Sequence, residues 1–220
     1  MTIKVFWDNP YLTELTTTVK TVDGNRITLS ETIFYAFSGG QESDAGTIGA
    51  YEVFKAEKVC SEIYYWLPDN HALKVNDIVT IIINWSRRYS LMRLHFAAEI
   101  VLELIYQKYP EIQKVGAHIG EHKARIDFRW DKNTAPFLSD LQNAAQAIID
   151  ENQSIATAFS NETEERRYWK IEGFSEVPCG GTHIRNTAEV GVIRLKRVNP
   201  GKGLERIEIF VTDKHDLIKS

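Results

Sequence analysis

The chain has 220 residues, with 26 Lys and Arg against 30 Asp and Glu, a net charge of −4 and a hydrophobic share of 43%. That length can bury the core of one large domain or two small ones, and the acidic balance excludes a nucleic-acid binder that works by bulk positive charge. No apolar run approaches the roughly 20 residues of a membrane span. Residues 1–10 lack the basic flank and apolar stretch of a secretory leader. Two cysteines, Cys60 and Cys179, make no disulfide framework, so a reducing, cytoplasmic setting is expected.

Residues 1–85 read as strand-rich. Thr16 to Thr21 and Arg26 to Ser30 flank Asp23-Gly24-Asn25, a hairpin signal. Tyr51 to Val59, Ile63 to Leu67 and Ile78 to Asn84 continue the pattern between polar turns, with Cys60 expected as a buried strand thiol. Short strands at this spacing predict a small barrel-like domain.

The period changes at Ser86. Leu91, Leu94, Ala98, Val101, Leu102 and Ile105 recur at helical spacing from Ser90 to Tyr109, and Pro110 supplies a stop. Val115 to Ile119 and Ala124 to Phe128 alternate like paired strands, which puts His118 and His122 about a hairpin. A second helix is predicted from about Pro136 to Asp150, capped by Thr134 or Asn133, with Leu138, Leu141, Ala145 and Ile148 inward. Val190 to Val198 and Arg206 to Val211 return to strand across Asn199-Pro200-Gly201-Lys202-Gly203. The expected class is α+β: a β-barrel-like domain over 1–85, then a two-layer α+β domain over 86–220. His71 and His215 read as loop and tail groups.

His95 and Glu99 stand four apart on the first helix, so both project from one face. Cys179-Gly180-Gly181-Thr182-His183 sets a thiol and an imidazole about a glycine pair, whose freedom is expected to let both approach one ion. Two imidazoles, a thiolate and a carboxylate suit a divalent metal such as zinc. Taken one at a time, the His and Cys residues equally fit packed core positions. Arg87, Arg88 and Arg93 form one basic cluster; Arg194, Lys196, Arg197, Lys202 and Arg206 form another, equally open to a reading as solvated charge.

Four segments together carry a resemblance. They are Met92-Arg93-Leu94-His95-Phe96-Ala97-Ala98-Glu99, Cys179-Gly180-Gly181-Thr182-His183, the glycine-rich Thr32 to Gly46 stretch, and Gly201-Lys202-Gly203-Leu204-Glu205-Arg206-Ile207-Glu208. In that composition the chain resembles the AlaX-type alanyl-tRNA editing proteins, which are similar to the editing domain of alanyl-tRNA synthetase. It departs from them at Glu99, where the family pattern has a second helix histidine, and at Ala36 and Ser38 in the glycine-rich loop.

The resemblance implies a zinc-dependent aminoacyl-tRNA deacylase with one Zn2+ per chain. Its partner would be mischarged tRNA for alanine, whose seryl or glycyl ester it hydrolyses in the service of translation fidelity. His95, Glu99, Cys179 and His183 would hold the metal. Glu99 would be labile or act as base, with Thr32 and Gln41 beside the pocket. Arg93, Arg194, Lys196 and Lys202 would meet tRNA phosphates. The competing expectation is a non-catalytic tRNA- or RNA-binding module with a structural zinc site. Nothing in the chain supplies the aminoacylation domain of a ligase.

Overall fold

The computed structural model describes residues 1–130 and 132–214, so His215 lies outside the described residues. The chain divides into two compact units, Met1–Tyr89 and Ser90–Ser220. The described residues mix two α-helices with sixteen strands, as an α+β chain does. No helix among the described residues is long and apolar enough to cross a membrane.

The first unit holds nine strands: β1 (Ile3–Lys4), β2 (Glu14–Asp23), β3 (Arg26–Leu29), β4 (Glu31–Thr32), β5 (Gly46–Ile48), β6 (Tyr51–Glu52), β7 (Lys55–Val59), β8 (Glu62–Trp66) and β9 (Ile78–Ile83). Seven of them form one sheet in the order β6-β5-β9-β2-β3-β8-β7, while β1 and β4 make a parallel pair. The ten-residue β2 organises the sheet. Glu14 to Thr18 pair with β9, Val19 to Asp23 pair with β3, and the register shifts between Val19 and Thr21. A shift of that kind bends a strand, so the sheet curls. Val19, Ile27, Leu29, Ile33, Phe34, Ile48, Tyr65 and Ile81 are fully buried in the core of this unit.

Tyr51 to Val59 is two strands rather than the one expected. Tyr51 and Glu52 pair with β5, whereas Lys55 to Val59 pair with β8, and the chain changes partner at Val53-Phe54. Cys60 is also corrected. It turns the chain from β7 to β8 at φ +54° and is exposed, because only a turn residue can take that left-handed backbone between two antiparallel strands. The glycine-rich loop closes on a reciprocal backbone pair between Ser38 and Gln41, with Gly39 and Gly40 both at positive φ as such a tight turn demands.

A buried ion pair locks that loop. Asp44 takes Arg88 through Nε at 2.8 Å and again through Nη2, and both side chains are fully buried. The remaining valences are satisfied: Asp44 accepts from the Tyr35 amide at 2.7 Å, and Arg88 donates to the carbonyls of Ile33 and Pro10.

Helix α1 (Trp85–Lys108) has no solvent face over residues 91–98, all of which are buried. The apolar stripe expected there is therefore part of a helix covered all round. Beyond it come β10 (Gln113–Ile119), β11 (Ala124–Arg129), α2 (Ala135–Asp150), β12 (Ala156–Asn161), β13 (Arg166–Ile171), β14 (Ser175–Pro178), β15 (Val192–Gly201) and β16 (Leu204–Thr212). The second unit has two antiparallel sheets, β10-β11-β16-β15 and β12-β13-β14. In α2, Phe137, Leu141, Ala145 and Ile149 are buried, one position on from part of the expected stripe. Thr134 does cap α2 by position, but its hydroxyl goes to Glu205 and Asn133 serves the Ala135 amide instead. Gln142 and Gln146 of α2 accept from the amides of Leu195 and Ile193, so the edge of β15 is hydrogen-bonded by a helix.

Replacing Asp44 with Ala strands a buried guanidinium and is expected to lower stability by about 3–5 kcal/mol. Urea unfolding of the purified variant measures this. A loss below about 1 kcal/mol would show that the pair does not hold the loop.

Candidate metal centre

Helix α1 delivers the first donor. His95, 6% exposed, points from the helix toward the loop after β14, and Glu99 follows one turn on. The antiparallel hairpin β13–β14 delivers the second. Cys179 directly follows β14, and its amide donates to the Arg167 carbonyl at 2.8 Å, which anchors it against β13. His183, also 6% exposed, sits at the end of the Gly-Gly turn. Neither glycine adopts a left-handed φ, and a Cβ at Gly180 would meet nothing within 4 Å. The expected reason for the glycines therefore fails at Gly180, whose backbone any residue could adopt.

What brings His183 in is the segment behind it. Asn186 and Glu189 form a reciprocal capping box on a short 3-10 turn (Thr187–Val190). The Thr187 amide donates to the Gln153 carbonyl, and the Thr187 hydroxyl accepts from the Gln153 amide and donates to the Ile149 carbonyl at the end of α2. Arg93 secures the far end, donating to the Val190 carbonyl at 2.9 Å and pairing with Asp213 at 2.8 Å. At 9% exposure and so engaged, Arg93 has little to offer a phosphate. It tethers the loop instead.

The donor atoms of His95, Cys179 and His183 lie within 4.8 Å of one another. Cys179 Sγ is 3.5 Å from His95 Nε2, and the two imidazole centroids are 5.1 Å apart. His183 Nε2 is buried without a hydrogen-bond partner. A buried unpartnered ring nitrogen beside a thiol and a second imidazole is what a ligand set without its cation presents, and S plus two N suits zinc. The fit is good for one divalent ion.

Glu99 falls outside that mutually close set. Its Oε1 lies 3.3 Å from His95 Nε2 and 3.9 Å from Cys179 Sγ, while its Oε2 accepts from Trp169 Nε1 at 3.2 Å. Trp169, fully buried on β13, packs edge-on against Phe96, which in turn stands edge-on to His183. Neither aromatic was singled out from the sequence, and in retrospect only the burial of an indole N–H, which demands an acceptor, could have flagged Trp169.

Electrostatically the cluster is one coupled system. Burial opposes charge at Cys179, but the adjacent His95 and His183 more than offset it and bring the thiol down to about 6. Burial likewise opposes charge on His95, yet Cys179 and Glu99 beside it hold its pKa at about 10. Glu99, also disfavoured by burial, is drawn down to about 2 by His95, His183 and the Trp169 hydrogen bond.

Thr32 and Gln41 belong to the first unit and are buried in it. The Thr32 hydroxyl meets Tyr65 OH at 2.7 Å and accepts from the Phe34 amide at 3.0 Å. Arg194, Lys196 and Lys202 are exposed. His118 lies on β10 and His122 in the turn after it, and neither joins the cluster.

The sequence is similar to known proteins along nearly the whole chain. Residues 167–208 match the second additional domain of threonyl and alanyl tRNA synthetases. The alanyl-tRNA editing protein AlaX-M of Pyrococcus horikoshii is 31% identical over 96% of this chain and 98% of its own. That of Methanosarcina mazei is 32% identical over the full length of both. The alanine–tRNA ligase of Methanococcus aeolicus is 30% identical over 93% of this chain but only 25% of its own length. The chain thus belongs to the family of alanyl-tRNA editing proteins of the AlaX type.

Two measurements check the site. Cys179→Ala is expected to lose stoichiometric zinc, whereas Glu99→Ala keeps it with affinity reduced no more than about 100-fold; equal loss in a metal-content assay would make Glu99 an obligate ligand. Metal entry must also displace protons. With Cys179 already a thiolate and His95 still protonated at pH 8, about one proton leaves per metal there. At pH 5 the thiol proton must leave too, so affinity weakens as pH falls. Calorimetry in buffers of different ionisation enthalpy reads both numbers.

Proposed function

We propose that this chain is a free-standing trans-editing deacylase that hydrolyses the seryl or glycyl ester of tRNA mischarged in place of alanine. The observation that carries it is the His95–Cys179–His183 set, two buried imidazoles and a half-buried thiol, with Glu99 beside it, in a member of the AlaX family. In this reading the metal is zinc, one per chain, and the protein works in the cytoplasm, where Cys179 stays reduced. The unit that carries the glycine-rich loop serves as a barrel-like domain, and the rest as the two-layer editing domain.

The reaction itself is undemanding. A carboxylic ester next to an ammonium group is already activated, so positioning, a nucleophilic water and oxyanion stabilisation suffice. A divalent ion held by His95, Cys179 and His183 would supply Lewis acidity and water of lowered pKa. Glu99, aimed by the Trp169 indole and standing beside the ligand set, takes the role of acceptor for the proton of the attacking water. The carbonyl carbon gains that oxygen, the C–O bond to the terminal ribose breaks, and Glu99 returns its proton to the departing sugar hydroxyl. Products are free amino acid and deacylated tRNA.

Rejecting alanine requires a polar group that rewards the extra hydroxyl of serine, since a roomy apolar pocket discriminates poorly. Thr32 and Gln41 take that role in this proposal. Lys202 meets backbone phosphate of the tRNA.

The test is deacylation of seryl-tRNA and of correctly charged alanyl-tRNA by purified protein, with and without chelator. Release of serine that chelator abolishes, with alanine spared, supports the proposal; zinc-loaded protein that frees neither amino acid would leave a non-catalytic binding module. Glu99→Gln is expected to lower kcat about 10²–10⁴-fold with zinc retained, and an unchanged kcat would remove Glu99 from the chemistry.

A further inference from the structure

One face of the β10-β11-β16-β15 sheet reverses the charge of the chain. Strand alternation turns Ala124, Ile126, Phe128, Ile193, Leu195, Ile207 and Ile209 inward, where all are buried. The opposite face is read off the register. Lys196 faces Glu208, which faces Arg125; Val198 faces Arg206, which faces Asp127; Arg129 faces Leu204, and Arg194 faces Phe210. With the Lys123 ammonium on Glu208, six cations and two carboxylates share this face of a chain whose net charge is −4.

The carboxylates are consumed locally. Asp127 lies between Arg125 and Arg206, the latter at 2.5 Å, and Glu208 holds Lys123 at 2.5 Å. Those pairs brace the side chains of neighbouring strands without neutralising the face. Among the described residues Arg129, Arg194 and Lys196 have no ion-pair partner, and all three are exposed. Arg194 stacks on the Phe210 ring at 4.6 Å, which keeps its guanidinium flat on the sheet. Other anions lie at the rims: Glu121 in the β10–β11 turn and Glu111 before β10.

A sheet presents such cations in rows about 4.8 Å apart, rigidly and without a pocket. That suits a repeating polyanion whose charges lie along a surface, and it suits a small anion or an acidic pocket-filling ligand poorly. We infer that this face binds the phosphate backbone of an RNA duplex. The inference rests on the tRNA-editing proposal for the choice of RNA, and it assigns to Arg129, Arg194 and Lys196 the direct contacts, with Lys123, Arg125 and Arg206 as the braced second rank. Contacts of this kind position a duplex without reading its sequence.

The experiment measures equilibrium binding of uncharged alanine tRNA at several salt concentrations, beside serine release from seryl-tRNA by the wild-type protein. The triple variant R129S/R194S/K196S is compared with the charge-preserving R129K/R194K/K196R. About a 10–100-fold weaker affinity and a salt slope reduced by about 2–3 in the serine variant, with the charge-preserving variant like wild type, is the expected result. Unchanged affinity in the serine variant, equal loss in both variants, or no tRNA binding by wild type would overturn the surface. Serine release by wild type alongside unchanged binding in the serine variant sinks the surface and spares the editing activity. Charge-dependent tRNA binding without serine release does the reverse.

Discussion

Three donor atoms, one sulfur and two imidazole nitrogens, are held within 4.8 Å of one another in the second unit. A buried ring nitrogen without a hydrogen-bond partner is costly unless a cation takes its lone pair, and His183 Nε2 is such a nitrogen. Much of the surrounding architecture can be read as support for that convergence. The helix brings His95 at fixed pitch, the hairpin β13–β14 ties Cys179 to Arg167, and the capping box with its Thr187 and Arg93 tethers holds the loop behind His183. Outer contacts of this kind orient ligands and are felt in metal affinity almost as the ligands themselves are.

Glu99 gives this centre its particular character. A carboxylate in place of a further imidazole lowers the charge around a bound dication by one, which weakens Lewis acidity. In the editing reading proposed above, the same carboxylate would serve as a base beside the ligand set, hydrogen-bonded by Trp169 and close to His95. The two effects would then act in opposite directions on ester hydrolysis.

Much of the fold was legible because periodicity and turn chemistry are local. Both helices, the hairpin at Asp23-Gly24-Asn25 and the pairing of Val115 to Ile119 with Ala124 to Phe128 follow from residues a few positions apart. That His95, Cys179 and His183 would converge was readable from spacing together with resemblance. What escaped was non-local. Strands β12 and β14 bury no residue, and β13 turns an arginine inward beside Trp169 and Ile171, so polar and apolar positions do not alternate cleanly there. Cys60 and the break at Val53-Phe54 depend on which strand is the neighbour. The engagement of Arg93 with Val190, 97 residues away, could not be told from surface charge by composition.

The ion pair between Asp44 and Arg88 joins groups 44 residues apart, and Arg88 lies beyond the last strand of the curled sheet, in the first turn of α1. A ribosome that has delivered every strand through Ile83 has therefore not yet delivered the guanidinium that the glycine-rich loop needs. Until that turn emerges, the nascent sheet has all its ladders yet cannot seal a bare carboxylate in its interior, and the loop stays open to solvent. The strands and the opening turn of the next element are thus coupled, and a fragment trimmed at Ile83 would leave Asp44 without the guanidinium that it pairs with.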